Sequence, residues 1–208
     1  LILIKKAKAQ EAGVMMVISF AQVMLASMVI GLYVFDFKIG SSPFILLRHE
    51  MNWPILSRPD YVQLLKDGTG LNTLLQNYWM VIHPPTLFLG FATAIVPFAY
   101  SIAALWRNND RGWISHALIW SLVCVGILGL GIIMGGFWAY EALSFGGYWA
   151  WDPVENASLM PWLIMASAAH MLIITKATGR HLFTSHLLTQ IAFWLVLYAT
   201  FLTRSGIL

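Results

Sequence analysis

The stretch ISHALIWSLVCVGILGLGIIMGGFWAY, from Ile114 to Tyr140, contains no Asp, Glu, Lys or Arg. At about 1.5 Å of rise per residue, a helix of that length crosses roughly 30 Å of hydrocarbon. Similar uncharged runs occur at Ala12 to Phe35, Pro85 to Trp106, Ser158 to Thr175 and Leu182 to Leu202. Each is near or above the length at which a crossing helix becomes the default reading. The first is too long for a secretion signal, and no small-residue cleavage pattern follows it. Composition agrees: of 208 residues, 59% are hydrophobic and 10% are charged, and the mean hydropathy is +0.74. A soluble domain has roughly a quarter of its residues charged, so this chain has too few charges to cover a surface in water. The expected fold is an all-α polytopic transmembrane helix bundle of about five spans, with an aromatic loop on its outer face.

The balance of 12 Lys plus Arg against 9 Asp plus Glu gives a net charge of +3. The basic residues sit in short connections and form no single patch, which excludes a nucleic-acid surface. Lys5, Lys6 and Lys8, then Arg107 and Arg111, then Lys176 and Arg180 fall in connections on one side. On the other side, Lys38, Arg48, Arg58 and Lys66 are balanced by Asp36, Glu50, Asp60 and Asp67, and the connection Glu141 to Ala157 has no Lys or Arg. The positive-inside rule then puts the N-terminus in the cytoplasm and these two segments outside. The single cysteine, Cys124, excludes an intrachain disulfide. The chain begins at Leu1 without a methionine and stops at Leu208 just after a span, so a piece of a larger membrane protein is expected.

The resulting organisation is a cytoplasmic segment and first span (1–35), an outer loop (36–84), spans two and three (85–140), an outer aromatic loop (141–157), and spans four and five (158–208). The loop at 36–84 contains Pro43, Pro54, Pro59 and Gly68-Thr69-Gly70, which predicts irregular structure with one short helix around Arg58 to Lys66.

The densest chemistry is Trp138-Ala139-Tyr140-Glu141 and Phe145-Gly146-Gly147-Tyr148-Trp149-Ala150-Trp151-Asp152-Pro153-Val154-Glu155-Asn156-Ala157-Ser158. An interfacial aromatic belt explains the rings but not their company. Gly146 and Gly147 strip side chains from the backbone beside Trp149 and Trp151, which permits close approach by another body. Asp152, Pro153 and Glu155 have the spacing of a helix start: a capping Asp, a Pro just inside, and a Glu at the capping-box position. What remains is a flat, ring-lined, lysine-free surface suited to a planar apolar ligand.

If that ligand carries a metal, a histidine belongs nearby. His83 lies just ahead of span two, followed by Pro84-Pro85. Alone it reads as a cap or interface residue; paired with the aromatic loop it reads as a ligand. His170 lies near the middle of span four after Ser167-Ala168-Ala169. An ionisable group at that depth should face protein or cofactor, and two readings stand: a metal ligand, or a polar contact between close-packed helices. His116, His181 and His186 fall near the cytoplasmic ends and His49 in the outer loop. Paired carboxylates, a nucleophile–base pair and a phosphate loop are not evident.

Gly146 to Ser158, followed by Met160-Pro161-Trp162-Leu163, resembles the tryptophan-rich WWD signature of heme-handling proteins of cytochrome c maturation. The form Asp152-Pro153-Val154-Glu155-Asn156-Ala157-Ser158 is similar to the CcmF branch. Gly68-Thr69-Gly70-Leu71-Asn72, Leu74-Leu75-Gln76-Asn77, His83-Pro84-Pro85 and Phe201-Leu202-Thr203-Arg204-Ser205-Gly206 extend the likeness over about Asp67 to Leu208.

The resemblance implies a subunit of a cytochrome c heme lyase. Trp138, Gly146, Gly147, Trp149, Trp151 and Asp152 would form the heme surface. His83 would be one axial ligand to the outer heme iron, and His170 one ligand to an embedded b-type heme. The cofactor implied is heme b. The partners implied are a heme chaperone of the CcmE type, apocytochrome c, its thiol-reducing and presenting partners of the CcmH type, and membrane lipid. The resemblance places the chain in the bacterial inner membrane with the WWD loop periplasmic, the mitochondrial inner membrane being the alternative. The second ligand of each pair would lie beyond Leu208, and Phe145 stands where the family commonly has a tryptophan. Two other functions fit the residues alone: a transporter or channel subunit gated by the aromatic loop, and a structural scaffold.

Overall fold

The computed structural model describes residues 10–35, 37–40, 42–64, 70–108, 111–142 and 147–204. The elements run α1 Glu11–Ile30, β1 Leu32–Val34, β2 Phe37–Ile39, α2 Leu47–Glu50, α3 Tyr61–Leu64, a 3-10 turn at Thr73–Leu75, α4 Tyr78–Trp106, α5 Ile114–Ala142, α6 Pro153–Thr178 and α7 Leu182–Arg204. Five helices among the described residues, α1, α4, α5, α6 and α7, are long and apolar enough to cross a membrane. The chain is a multi-pass, all-α membrane bundle.

The helices start and stop for local reasons. α4 begins at Tyr78 rather than at Pro85, because the Asn77 side chain caps it by accepting the Trp79 N–H at 3.1 Å. His83, Pro84 and Pro85 therefore lie inside the helix and not in the loop before it. Proline removes a backbone donor, and membrane helices tolerate this where hydroxyl side chains supply replacement donors. The carbonyls that Pro84 and Pro85 leave without a helical donor are those of Met80 and Val81; the nearby Thr86 Oγ1 donates to the Ile82 carbonyl, at 2.8 Å. α6 ends at Gly179, whose φ of 69° supplies the left-handed cap and whose N–H bonds the Thr175 carbonyl.

The chain divides into two compact units, Leu1–Ile18 with Thr73–Leu208, and Ser19–Asn72. In the larger unit, small residues let helix backbones close on each other, as is common where no water drives association. A methyl group on Gly90 would lie 2.6 Å from Leu128 Cα, and one on Gly131 would lie 2.8 Å from Leu87 Cα. α4 and α5 thus interlock turn by turn. Buried hydroxyls join other helices: Thr175 Oγ1 and Ser185 Oγ are 2.8 Å apart, and Gln190 Nε2 donates to Ser101 Oγ at 3.2 Å.

In the smaller unit, β1 and β2 pair antiparallel, with Tyr33 opposite Lys38. The periodicity of the first apolar run gave no sign of this hairpin, and α1 stops at Ile30 instead of Phe35 because the chain reverses there. Lys38 Nζ donates to Glu50 Oε1 at 2.7 Å, which raises the lysine's pKa. Arg58 holds Asp60 through two bonds of 3.0 and 2.9 Å, lowering the carboxyl's pKa. Both pairs are at the surface, where such contacts add little stability. The short helix expected around Arg58 to Lys66 is α3, Tyr61–Leu64.

Candidate functional site

The expected helix start is present and does more than cap. Asp152 Oδ1 accepts the Glu155 N–H at 2.7 Å, with Pro153 as the first helical residue. The Glu155 carboxylate turns back past the cap to accept the Ala150 N–H at 2.9 Å, and Asn156 Nδ2 donates to the Trp151 carbonyl at 2.9 Å. Two side chains of the first turn of α6, Glu155 and Asn156, thereby clamp the loop before it. Trp151 is held with φ at +59°, a left-handed conformation uncommon for a bulky residue that persists only when its surroundings enforce it.

The clamp presents Trp151 outward, with 70% of its surface exposed. Trp149 meets it edge-on, ring centroids 6.0 Å apart at 85°. Together with Ile132 and Leu159 the two indoles line an open apolar pocket of about 350 Å³. Gly147 has φ of +128°, which only glycine adopts readily, and a side chain there would meet nothing within 4 Å. Gly146 and Phe145 lie outside the described residues.

The last turns of α5 hold both halves of the site. Ile132 lines the indole pocket. The Ile133 carbonyl accepts the Tyr148 hydroxyl at 3.0 Å. Gly136 leaves room for the Tyr148 ring, since a methyl there would lie 2.6 Å from ring carbons. Phe137 meets Tyr148 edge-on at 5.4 Å and stacks on Trp79 of α4 at 5.3 Å. Asn77 Nδ2 donates to Glu141 Oε2 at 3.1 Å, tying the start of α4 to the end of α5. Trp79, Phe137, Gly135 and Gly136 carried no functional weight in the sequence; the adjacent glycines inside an apolar run were the one available signal.

His83 is half-buried against the same stretch of α5. Its Nδ1 lies 2.8 Å from the Gly131 carbonyl oxygen. A carbonyl only accepts, so Nδ1 carries the proton, and in the neutral ring Nε2 is left with a bare lone pair. Trp138 lies beside it, ring centroids 6.0 Å apart. Trp138 and Trp149 each have an indole N–H shut off from solvent with no acceptor among the described residues. Buried donors are normally satisfied; among the described residues that of Trp149 remains open at the apolar pocket and that of Trp138 remains open beside the His83 ring. That set fits a flat iron macrocycle with carboxylate substituents: lone pair for the metal, ring faces for the plane, N–H donors for the carboxylates. Among the described residues no group of three or more His, Cys, Asp or Glu is arranged to hold a metal ion, so a bare-ion centre is not built from these side chains.

His170 is not part of this site. It sits in the body of α6, exposed on the surface of the bundle, its Nδ1 2.8 Å from the carbonyl of Ala166 one turn earlier. His116 stacks on Tyr100 and His186 on Trp113 at the end of the bundle away from the indoles, with His186 Nδ1 2.8 Å from Ser101 Oγ. His49 accepts from Arg48 Nε at 3.3 Å in the smaller unit.

Comparison with known proteins identifies the family. The family model described as cytochrome C assembly protein matches residues 1–208. The chain is 46% identical over 143 residues to the cytochrome c-type biogenesis protein CcmF of Pseudomonas aeruginosa, covering 68% of this chain and 22% of that protein. It is 43% identical to CcmF of Haemophilus influenzae and 42% identical to CcmF of Escherichia coli, each over 143 residues with the same coverage. The matched region thus spans about a fifth of the length of these curated relatives. No solved structure matches the chain. A multi-pass helical bundle with a clamped double-indole loop, matched over its whole length by the family model, belongs to the cytochrome c assembly protein family and is of the CcmF type.

Proposed function

We propose that this chain holds heme at the outer face of the bacterial inner membrane during cytochrome c maturation and promotes its covalent attachment to apocytochrome c. The observation that carries the reading is one juxtaposition. The last turns of α5 support both the His83 ring and the pocket of Trp149 and Trp151, and the indole N–H groups of Trp138 beside the ring and of Trp149 at the pocket have no acceptor among the described residues.

In this reading His83 Nε2 is an axial ligand to the iron, and the exposed Trp151 face packs against the macrocycle. The indole N–H groups of Trp138 and Trp149 donate to its carboxylates. Gly147 keeps the approach open, and Asp152 acts through the cap that sets Trp151. Heme, as substrate, supplies vinyl groups, and each thiol S–H of the presented Cys-x-x-Cys-His segment adds across a vinyl C=C. A thioether forms, the hydrogen goes to carbon, and nothing leaves. The protein's share is orientation of two reactants, which proximity rewards strongly. Heme arrives from a chaperone of the CcmE type, and the apocytochrome from presenting partners of the CcmH type. The N-terminus is cytoplasmic and the indole loop periplasmic. His170 would supply one ligand to a separate, embedded heme b.

The test is His83→Ala in the full-length protein in cells. Capture of chaperone-delivered heme and mature cytochrome c yield should both fall to background while the protein remains in the membrane. Normal cytochrome c yield would reject the assignment.

A further inference from the structure

The glycines of α5 that face His83 have no counterpart in the heme-surface reading, and their geometry is specific. A methyl group on Gly135 would lie 2.7 Å from His83 Cε1, 3.2 Å from Nδ1 and 3.3 Å from Nε2. The edge of the imidazole that carries both nitrogens therefore lies against the bare backbone of Gly135. One turn earlier, the Gly131 carbonyl takes the Nδ1 proton at 2.8 Å. The same two helices interlock at the next turns, Gly131 against Leu87 and Gly90 against Leu128. The ring therefore cannot be relieved by a small shift of α4 without disturbing two further close contacts.

We infer that Gly131 and Gly135 are positioning residues for the axial histidine: the Gly131 carbonyl fixes the tautomer that leaves Nε2 bare, and the missing side chain of Gly135 keeps that nitrogen accessible to iron. The inference rests on the reading of His83 as an axial ligand. Its physical basis is general, because the partner of the second ring nitrogen selects tautomer and orientation at metal-binding histidines, and loss of such a partner typically costs ten- to a hundredfold in affinity.

Gly135→Ala is the direct probe. Alanine is a better helix former than glycine, so the substitution does not weaken α5 by propensity, and the three atoms nearest to its methyl all belong to the imidazole. Gly126→Ala is the matched control, since a methyl there meets nothing within 4 Å. Full-length protein in lipid nanodiscs is titrated with hemin and read by the visible difference spectrum. Gly135→Ala should weaken hemin binding at least about tenfold and shift the ferric spectrum from low-spin towards high-spin, while Gly126→Ala matches the wild type. A low-spin spectrum and unchanged affinity in Gly135→Ala would overturn the inference. If His83→Ala also leaves the titration unchanged, the reading of His83 falls and the inference with it; if His83→Ala abolishes binding but Gly135→Ala does not alter it, the inference alone falls. A measurement on the unsubstituted protein decides the matter should the variant fail to fold. The ¹⁵N spectrum of His83 at neutral pH, without hemin, should show a protonated Nδ1 and a bare Nε2. The opposite tautomer would overturn the proposal.

Discussion

His83 and His170 are both histidines on apolar helices of one bundle, yet they are built to opposite plans. His83 is half-buried, its Nδ1 proton taken by a carbonyl of the neighbouring helix and its ring edge fitted against a glycine. His170 is exposed, and its Nδ1 lies 2.8 Å from the carbonyl of Ala166, one turn earlier in its own helix. The first ring is oriented by tertiary structure within this chain. The second is not, and an exposed ionisable group in the middle of a membrane helix is costly unless protein or cofactor covers it. Depth along a helix therefore does not make a ligand site. What orients a ring is the partner on the far nitrogen, and of these two histidines His83 is the one with an interhelical partner among the described residues.

Five substitutions, at four positions, test that contrast. The largest effect is expected from His83→Ala: hemin affinity of the full-length protein should fall about a hundredfold or more, roughly 2.7 kcal/mol, with loss of the imidazole-ligated spectrum. Trp151→Ala removes the exposed ring face but not the iron ligand, so a loss of about tenfold, near 1.4 kcal/mol, is expected with the spectral type retained. Asp152→Ala removes the α6 cap and should lower stability by about 1 kcal/mol in thermal unfolding, whereas Asp152→Asn, an equally good cap, should preserve it. Equal losses in both variants would mean that the carboxylate charge, not the cap, is what matters. His170→Ala should be the quietest at the indole pocket: hemin capture there unchanged, and stability of this bundle within about 0.5 kcal/mol. A large fall in outer-site binding would break the distinction between the two histidines.

Much of this was legible in the sequence, for identifiable reasons. Uncharged apolar runs report spans because the bilayer excludes charge, so the five long helices fall where the runs do. The start of α6 was legible because a cap is a local device: Asp152, Pro153 and Glu155 carry their own spacing. The start of α4 was not, because Pro84-Pro85 resemble a helix start while the true cap, Asn77, lies upstream in a polar stretch. The hairpin at Leu32–Ile39 was hidden inside what read as the tail of an apolar span. The notches at Gly135 and Gly136 were illegible in principle, since each exists only against a ring from elsewhere, His83 from α4 and Tyr148 from the loop. The left-handed Trp151 is likewise a product of Glu155 and Asn156 reaching backwards, which spacing alone does not foretell.

The central claim is that His83 Nε2 ligates heme iron at the indole pocket. The most direct measurement is the Soret spectrum of gently purified full-length protein on addition of hemin, wild type against His83→Ala. An imidazole-ligated band in the wild type that is lost in the variant is the predicted result; superimposable spectra would contradict it.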